Sequence, residues 1–157
     1  VRVEGNEVFD GGTLLAGAEL ARGDFFDLTL MQRDVGSLKD AYGANGYIRA
    51  DVQASPQFFE EPGQLDLVYK IDEGKQYRVG DIKVRIDGDY PHTRQNVVLN
   101  RLDLREGDII DIRKLRDGER RIMSSQLFEV GPMSRPEIAV EPRSPDTRMA
   151  SPGKRRY

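Results

Sequence analysis

The stretch ELARGDFFD, residues 19–27, is answered 84 positions later by DLREGDIID, residues 103–111. Leu, Gly, Asp and the final Asp are identical, Glu is matched by Asp, and both phenylalanines by isoleucine. In each copy the glycine is free to take the positive φ that closes a connection, and the last aspartate can accept the first amide hydrogens of a helix. A second echo lies outside the first. VRVEGN from Val1 and VRIDGD from Val84 are alternating, β-like runs that stop at an acidic residue, a glycine and a small polar residue, 83 positions apart. Two independent matches at nearly one offset mark a structural repeat.

Working outward from the first copy, Asp10 or Thr13 can cap a short helix that carries Leu14, Leu15, Ala18 and Leu20 and ends near Leu20. Beyond Asp27, the residues Met31, Val35, Leu38 and Tyr42 are spaced 4, 3 and 4, which makes one apolar helical stripe. Gly43 and Gly46 break that helix, and from Tyr47 the period changes to two. Ile48, Ala50, Val52 and Ala54 alternate with Arg49, Asp51 and Gln53, the pattern of a half-exposed strand. SPQFFEEPGQ reads as a loop, and Leu65, Leu67, Tyr69 and Ile71 then alternate with Asp66, Val68 and Lys70 until DEG stops them. The first 74 residues therefore predict the order β-α-α-β-β.

The second copy restarts with Ile82, Val84 and Ile86 on one strand face. Thr93 is placed to cap a helix with Val97, Val98 and Leu102, and Asp111 a helix with Ile112, Leu115, Ile122 and Met123. After QLFEV only EIAVEP, residues 137–142, reads as a strand, so the last strand of this unit is expected to be missing. The final 27 residues hold five of the eight prolines and a net charge of +3, the composition of a loose tail. The expected organisation is a first unit at 1–75, an incomplete second unit at 76–142, and a disordered Pro/Arg-rich tail at 143–157.

Composition narrows the chemistry. Hydrophobic residues at 38% and charged residues at 32% describe a well-solvated globular chain, and a net charge of -3 argues against general binding to a phosphate backbone. No run of 18 apolar residues exists, and the opening has neither the basic nor the apolar region of a signal peptide, so neither a transmembrane helix nor a signal peptide is expected. A strand pattern that begins abruptly at residue 1 is expected to mark an excised or processed part of an exported or anchored protein. The absence of cysteine rules out disulfides, zinc-thiolate sites and thiol catalysis. The one histidine, His92, stands at the start of a helix with no triad around it, and the carboxylates recur at caps and turns. DGDYPH and NGYIRAD lack EF-hand spacing, FDGG and EGDIID lack the rest of a phosphate loop, and GKRRY reads as a solvated basic end. No catalytic residue, metal or cofactor is expected.

Several motifs in one order carry a resemblance: VEGN and IDGD at the ends of first strands, GDFFD and GDIID between helices, LKDAYGANGYIRADV from helix into strand, and LVYKIDEGKQYRVGDIKV across the junction. In that order they resemble tandem POTRA domains, the polypeptide-transport-associated module, as found in the periplasmic arms of outer-membrane assembly proteins of the BamA type. The resemblance implies an α+β fold of two tandem units, each a small three-stranded mixed sheet with two antiparallel helices on one face. It places an inter-domain junction at Glu73, Gly74 and Tyr77. In that family the second strand is the edge that pairs with extended polypeptides. Here it corresponds to Tyr47, Ile48, Arg49, Ala50, Asp51, Val52, Gln53 and Ala54, and in the second unit to Glu137, Ile138, Ala139 and Val140.

An open sheet edge binds by β-augmentation, through main-chain hydrogen bonds that ignore most of the partner's sequence. The partners implied are unfolded outer-membrane or secreted polypeptides and assembly-complex subunits, in the periplasm, with no nucleic acid and no direct membrane span. Two alternatives stay open: the arm of a two-partner secretion transporter, and a structural spacer of the kind found in division proteins.

Overall fold

A computed structural model describes residues 1–60, 63–85, 95–125 and 138–141. In chain order the elements are β1 (Arg2–Glu4), α1 (Gly11–Leu15), α2 (Leu28–Gly43), β2 (Asp51–Phe58), β3 (Leu65–Asp72), α3 (Gln95–Leu102) and α4 (Ile112–Ser124). The first five build an α+β unit around a mixed sheet of order β1-β3-β2, with β1 parallel and β2 antiparallel to β3. The most apolar strand takes the centre: Leu67, Val68 and Tyr69 of β3 are fully buried. Burying one such side chain stabilises by roughly 1.5–3 kcal/mol.

Helix α2 lies against the sheet through Leu38 and Tyr42, with Met31 and Val35 half-buried beside them, as the 4-3-4 spacing predicts. Its N-cap is Asp27, whose side chain accepts from the Thr29 and Leu30 amides. Asp10 caps α1, accepting from the Thr13 amide at 3.0 Å. That helix ends at Leu15 rather than near Leu20. Leu20 still reaches the core, because the wholly buried Asp34 of α2 accepts the amide hydrogens of Glu19 (2.6 Å) and Leu20 (3.1 Å) and the Tyr69 hydroxyl (2.9 Å). One carboxylate thus fastens the connection to helix and sheet.

Strand β2 is also shifted from its expected place. It begins at Asp51, not Tyr47, and runs through Pro56 to Phe58. Residues 47–50 are folded into a turn instead: the Tyr47 amide donates to the Tyr42 carbonyl (3.1 Å) and the Ala50 amide to the Tyr47 carbonyl (3.0 Å). The Tyr47 ring meets Tyr42 and Phe9 edge-on, with centroids 6.0 and 6.4 Å apart. The stretch expected as a loop supplies the end of the strand, and Pro56 is tolerated there because β2 is an edge.

In the second half α3 and α4 pack around Val98, Leu102 and Ile122. They approach closely at Gly118, where an added Cβ would lie 3.1 Å from Leu102 Cδ2. Asp111 caps α4 as expected, accepting from the Arg113 amide at 2.9 Å. Ile82 and Val84 are half-buried while Asp81, Lys83 and Arg85 are exposed, the alternation expected of a strand, but no ladder forms at 81–85 among the described residues. The expected strand residue Ile86, the cap Thr93, His92, Glu137 and the tail at 143–157 lie outside the described residues.

Candidate functional site

Strand β2 hydrogen-bonds β3 on one side, and its other side is a free edge among the described residues. The register pairs Pro56 with Leu67, Ala54 with Tyr69 and Val52 with Ile71. Proline has no amide hydrogen, so it fits a ladder where the N–H would face away from the neighbouring strand. Backbone direction alternates, which puts the amides of Val52 and Ala54 on the same outward side as position 56. Four of the eight expected edge residues, Asp51, Val52, Gln53 and Ala54, therefore belong to the ladder, with Val52 buried against the core. Tyr47, Ile48, Arg49 and Ala50 form the turn leading into it.

The start of the edge is tied to α2. Asp51 accepts from Lys39 Nζ and Gln53 Nε2, both at 2.9 Å, and the lysine contact together with the glutamine holds its carboxyl below the usual carboxylate range. At the far end the side chains of Phe58 and Phe59 are open to solvent. An extended apolar chain laid along β2 would find outward amides first and aromatic rings at its end.

The expected junction residues gather several elements at one point. Glu73 Oε1 accepts from the Glu7 amide (2.8 Å), the Val8 amide (2.9 Å) and the Tyr42 hydroxyl (2.8 Å), joining the exit of β1, the end of α2 and the end of β3. Burial, and next the bond to Glu73, push the Tyr42 hydroxyl well above the ordinary tyrosine range. Gly74 turns the chain at φ 65°. The Tyr77 amide then donates to the Gly46 carbonyl (2.8 Å), while its own carbonyl accepts from Ile110 (3.2 Å). Arg49 lies 5.8 Å from the centroid of the Tyr77 ring, a contact worth about 0.5–1 kcal/mol at an exposed site.

Beside this junction runs a groove of about 410 Å³. It is lined by Ile48 and Arg49, by Ile112, Leu115, Arg116 and Glu119 of α4, and by Ile138 and Val140. The two stretches expected as separate edges thus meet across one cleft. Residues 138–141 form no ladder among the described residues; Ile138 is half-buried and Val140 exposed. A lining of Ile48, Ile112, Leu115, Ile138 and Val140 together with the charged Arg49, Arg116 and Glu119 suits an extended segment of mixed character. Among the described residues no group of three or more His, Asp or Glu side chains is arranged to hold a metal, and no helix is long and apolar enough to cross a membrane.

The groove is not legible in local sequence patterns, because Ile48 and Ile138, which both line it, lie 90 positions apart. Asp34 had a signal. It falls within the α2 stripe, three residues after Met31 and four before Leu38, where a charge is buried only if it is fully hydrogen-bonded.

The family model described as POTRA, surface antigen variable number repeat, matches residues 1–74. Residues 1–74 are a POTRA domain. Over 104 residues the chain is 32% identical to the outer membrane protein assembly factor BamA of Nitratidesulfovibrio vulgaris, covering 66% of this chain and 13% of that protein. The POTRA3-5 structure of Haemophilus influenzae BamA covers 75% of this chain and 44% of its own, with a TM-score of 0.62 at 21% identity. A Haemophilus ducreyi BamA structure lacking POTRA domains 1–3 covers 88% of this chain and 26% of its own, with a TM-score of 0.63 at 20% identity. The POTRA fold extends to these neighbours, and the chain spans about an eighth of the length of the curated relative.

Proposed function

We propose that this chain is the periplasmic polypeptide-binding part of an outer-membrane β-barrel assembly protein, and that residues 76–142 are a second POTRA unit. It holds nascent outer-membrane or secreted polypeptides and partner subunits of the assembly complex, and it performs no catalysis. The observation that carries the reading is the free side of β2, with the outward amides of Val52 and Ala54 beside an apolar groove. A client strand pairs with that edge and places alternate side chains against the sheet, while residues 138–140 supply a second contact across the groove. Main-chain pairing on one short edge gives weak, sequence-tolerant affinity, on the order of micromolar or weaker. Weak contacts suit release of a client to the next site.

Similarity to BamA-type assembly factors over 66% of the chain supports this reading over a two-partner secretion arm. A spacer role is favoured by one observation, the hydrogen-bonded path from Gly46 through Tyr77 to Ile110. A titration separates the two. Adding a strand peptide from an outer-membrane protein shifts the amide signals of residues 49–54 if the edge binds clients, and leaves them in place if the chain is only a spacer. Ala54→Pro removes an outward donor and weakens peptide binding in a folded protein; unchanged affinity would refute edge pairing.

A further inference from the structure

The turns at 21–27 and 105–111 are built alike. Asp24 Oδ2 accepts from the Ala21 amide at 2.9 Å, and Asp108 Oδ2 from the Arg105 amide at 3.2 Å. The Asp24 and Asp108 amides donate back to the Ala21 and Arg105 carbonyls at 3.3 and 3.2 Å. Gly23 and Gly107 take φ of 97° and 90°, and Asp27 and Asp111 cap the helices that follow. Three apolar residues correspond in order: Phe25 to Ile109, Phe26 to Ile110, Leu28 to Ile112.

Their surroundings differ. Ile110 is 7% exposed, Ile112 half-buried and Ile109 40% exposed; a Cβ on Gly46 would meet Ile109 Cγ2 at 2.8 Å, and one on Gly43 would meet Ile112 Cγ2 at 2.7 Å. The extended residues 77–79 lie along this turn, with the Val79 amide bonded to the Asp108 carbonyl and the Gly107 amide to the Val79 carbonyl, both at 2.8 Å. The second turn is seated in a notch that only glycines at 43 and 46 leave open. The first turn has the same apolar residues and no such seat: Phe25 is 98%, Leu28 57% and Phe26 40% exposed.

We propose that Phe25, Phe26 and Leu28 form the docking surface for a further POTRA-type unit on the N-terminal side of the same polypeptide. That unit offers what residues 43–46 and 77–79 offer the second turn: the glycine-lined end of its second helix and an extended linker that bonds to the turn. The proposal rests on reading residues 76–142 as a second unit. Two observations name this occupant rather than a client or a lipid. The interface it would make already exists once in this chain, between turn and notch. At the offset of 84, the counterparts of residues 77–79 fall eight to six positions before Val1, and the curated relative is far longer than the matched part.

Single cysteines test it, since the chain has none of its own. Phe25→Cys, Ile110→Cys and the exposed helical control Ser37→Cys are placed one at a time in the 157-residue chain and in the intact natural polypeptide that contains it, and maleimide labelling rates are compared. Position 25 labels as fast as position 37 in the 157-residue chain, and at least about tenfold more slowly in the intact polypeptide, where reaction must await local opening. Equal rates at position 25 in the two proteins overturn the proposal. Fast labelling at position 110 in the 157-residue chain overturns the seated second turn, and with it the two-unit reading, which separates that failure from the first. A photo-crosslinker at position 25 of the intact polypeptide gives an intrachain product with a segment before Val1; products only with a bound client or with lipid overturn the assignment.

Discussion

Position 34 and position 118 stand 84 residues apart on corresponding helices, and the two halves use them in opposite ways. In α2 the position is a buried aspartate that hydrogen-bonds the preceding connection at Glu19 and Leu20 and the sheet at Tyr69. In α4 it is a glycine, and the absence of a side chain lets Leu102 pack directly on the helix. The turns between the helices nevertheless keep one geometry. A turn with its own glycine, Asx bond and cap is specified locally, whereas the means of clamping the two helices can be exchanged: directional polar bonds in one half, close apolar contact in the other.

The largest effect that would sharpen this comparison comes from Asp34→Leu, which is nearly isosteric but strands two amides and a buried hydroxyl. It should cost about 3–5 kcal/mol in chemical denaturation, because unpaired buried donors keep their full desolvation penalty. A loss below about 1 kcal/mol would mean the polar clamp is dispensable. The next effect sets the two turns against each other: Ile110→Ala should cost about 3 kcal/mol, as truncations of buried isoleucine do. In the same 157-residue chain Phe25→Ala should stay within about 0.5 kcal/mol of the parent, as open surface positions do. Equal losses would break the distinction between a seated and an open turn.

The smallest effects are in pH. Bonds from the Leu30 and Thr29 amides hold Asp27 below the usual carboxylate range, and the Lys39 and Gln53 contacts do so for Asp51. Burial raises Asp111, but Arg113 bonds outweigh it and the net direction is again downward. Their stabilisation is complete above the unfolded carboxylate value, near pH 4, and is lost as pH falls through the lower folded values. Burial, followed by bonds to Glu73 and Asp34, raises the Tyr42 and Tyr69 hydroxyls. That contribution is complete below about pH 10 and is lost as pH rises through the folded values. Thermal midpoints measured across the range should be flat between these limits. Both tyrosines lie in the first half, so spectroscopic probes of the POTRA domain should lose signal first in alkali, and probes of α3 and α4 should not.

What the sequence disclosed was the locally encoded part. Gly23, Asp27 and Asp111 needed only their neighbours to act, and the α2 stripe needed only its period. The misread parts depended on distant partners. Alternation from Ile48 looked like a strand, yet the Tyr42 carbonyl and the aromatic contacts with Phe9 captured Tyr47 and delayed the ladder to Asp51. Pro56 looked like a loop residue because the apolar alternation stops at Ala54, although the resemblance already marked the second strand as an edge, where a proline can continue the ladder. The helix expected to reach Leu20 stopped at Leu15, since Asp34 supplied the Glu19 and Leu20 amides with a partner that a helix would otherwise provide. The groove between Ile48 and Val140 arises only from the docking of α4 against the end of α2.

The parallel pairing of β1 with β3 has a mechanical meaning. The chain enters the sheet at the start of β1 and leaves it at the end of β3, which are opposite ends of two neighbouring strands. Tension applied through the two connections therefore slides β1 along β3 and loads their hydrogen bonds together, instead of peeling them apart one by one. At the exit Glu73 is tied to Glu7, Val8 and Tyr42, so the load spreads to the loop after β1 and to α2 before any strand end can fray. A module wired in this way can transmit a pull along its own chain while keeping its lateral edge intact.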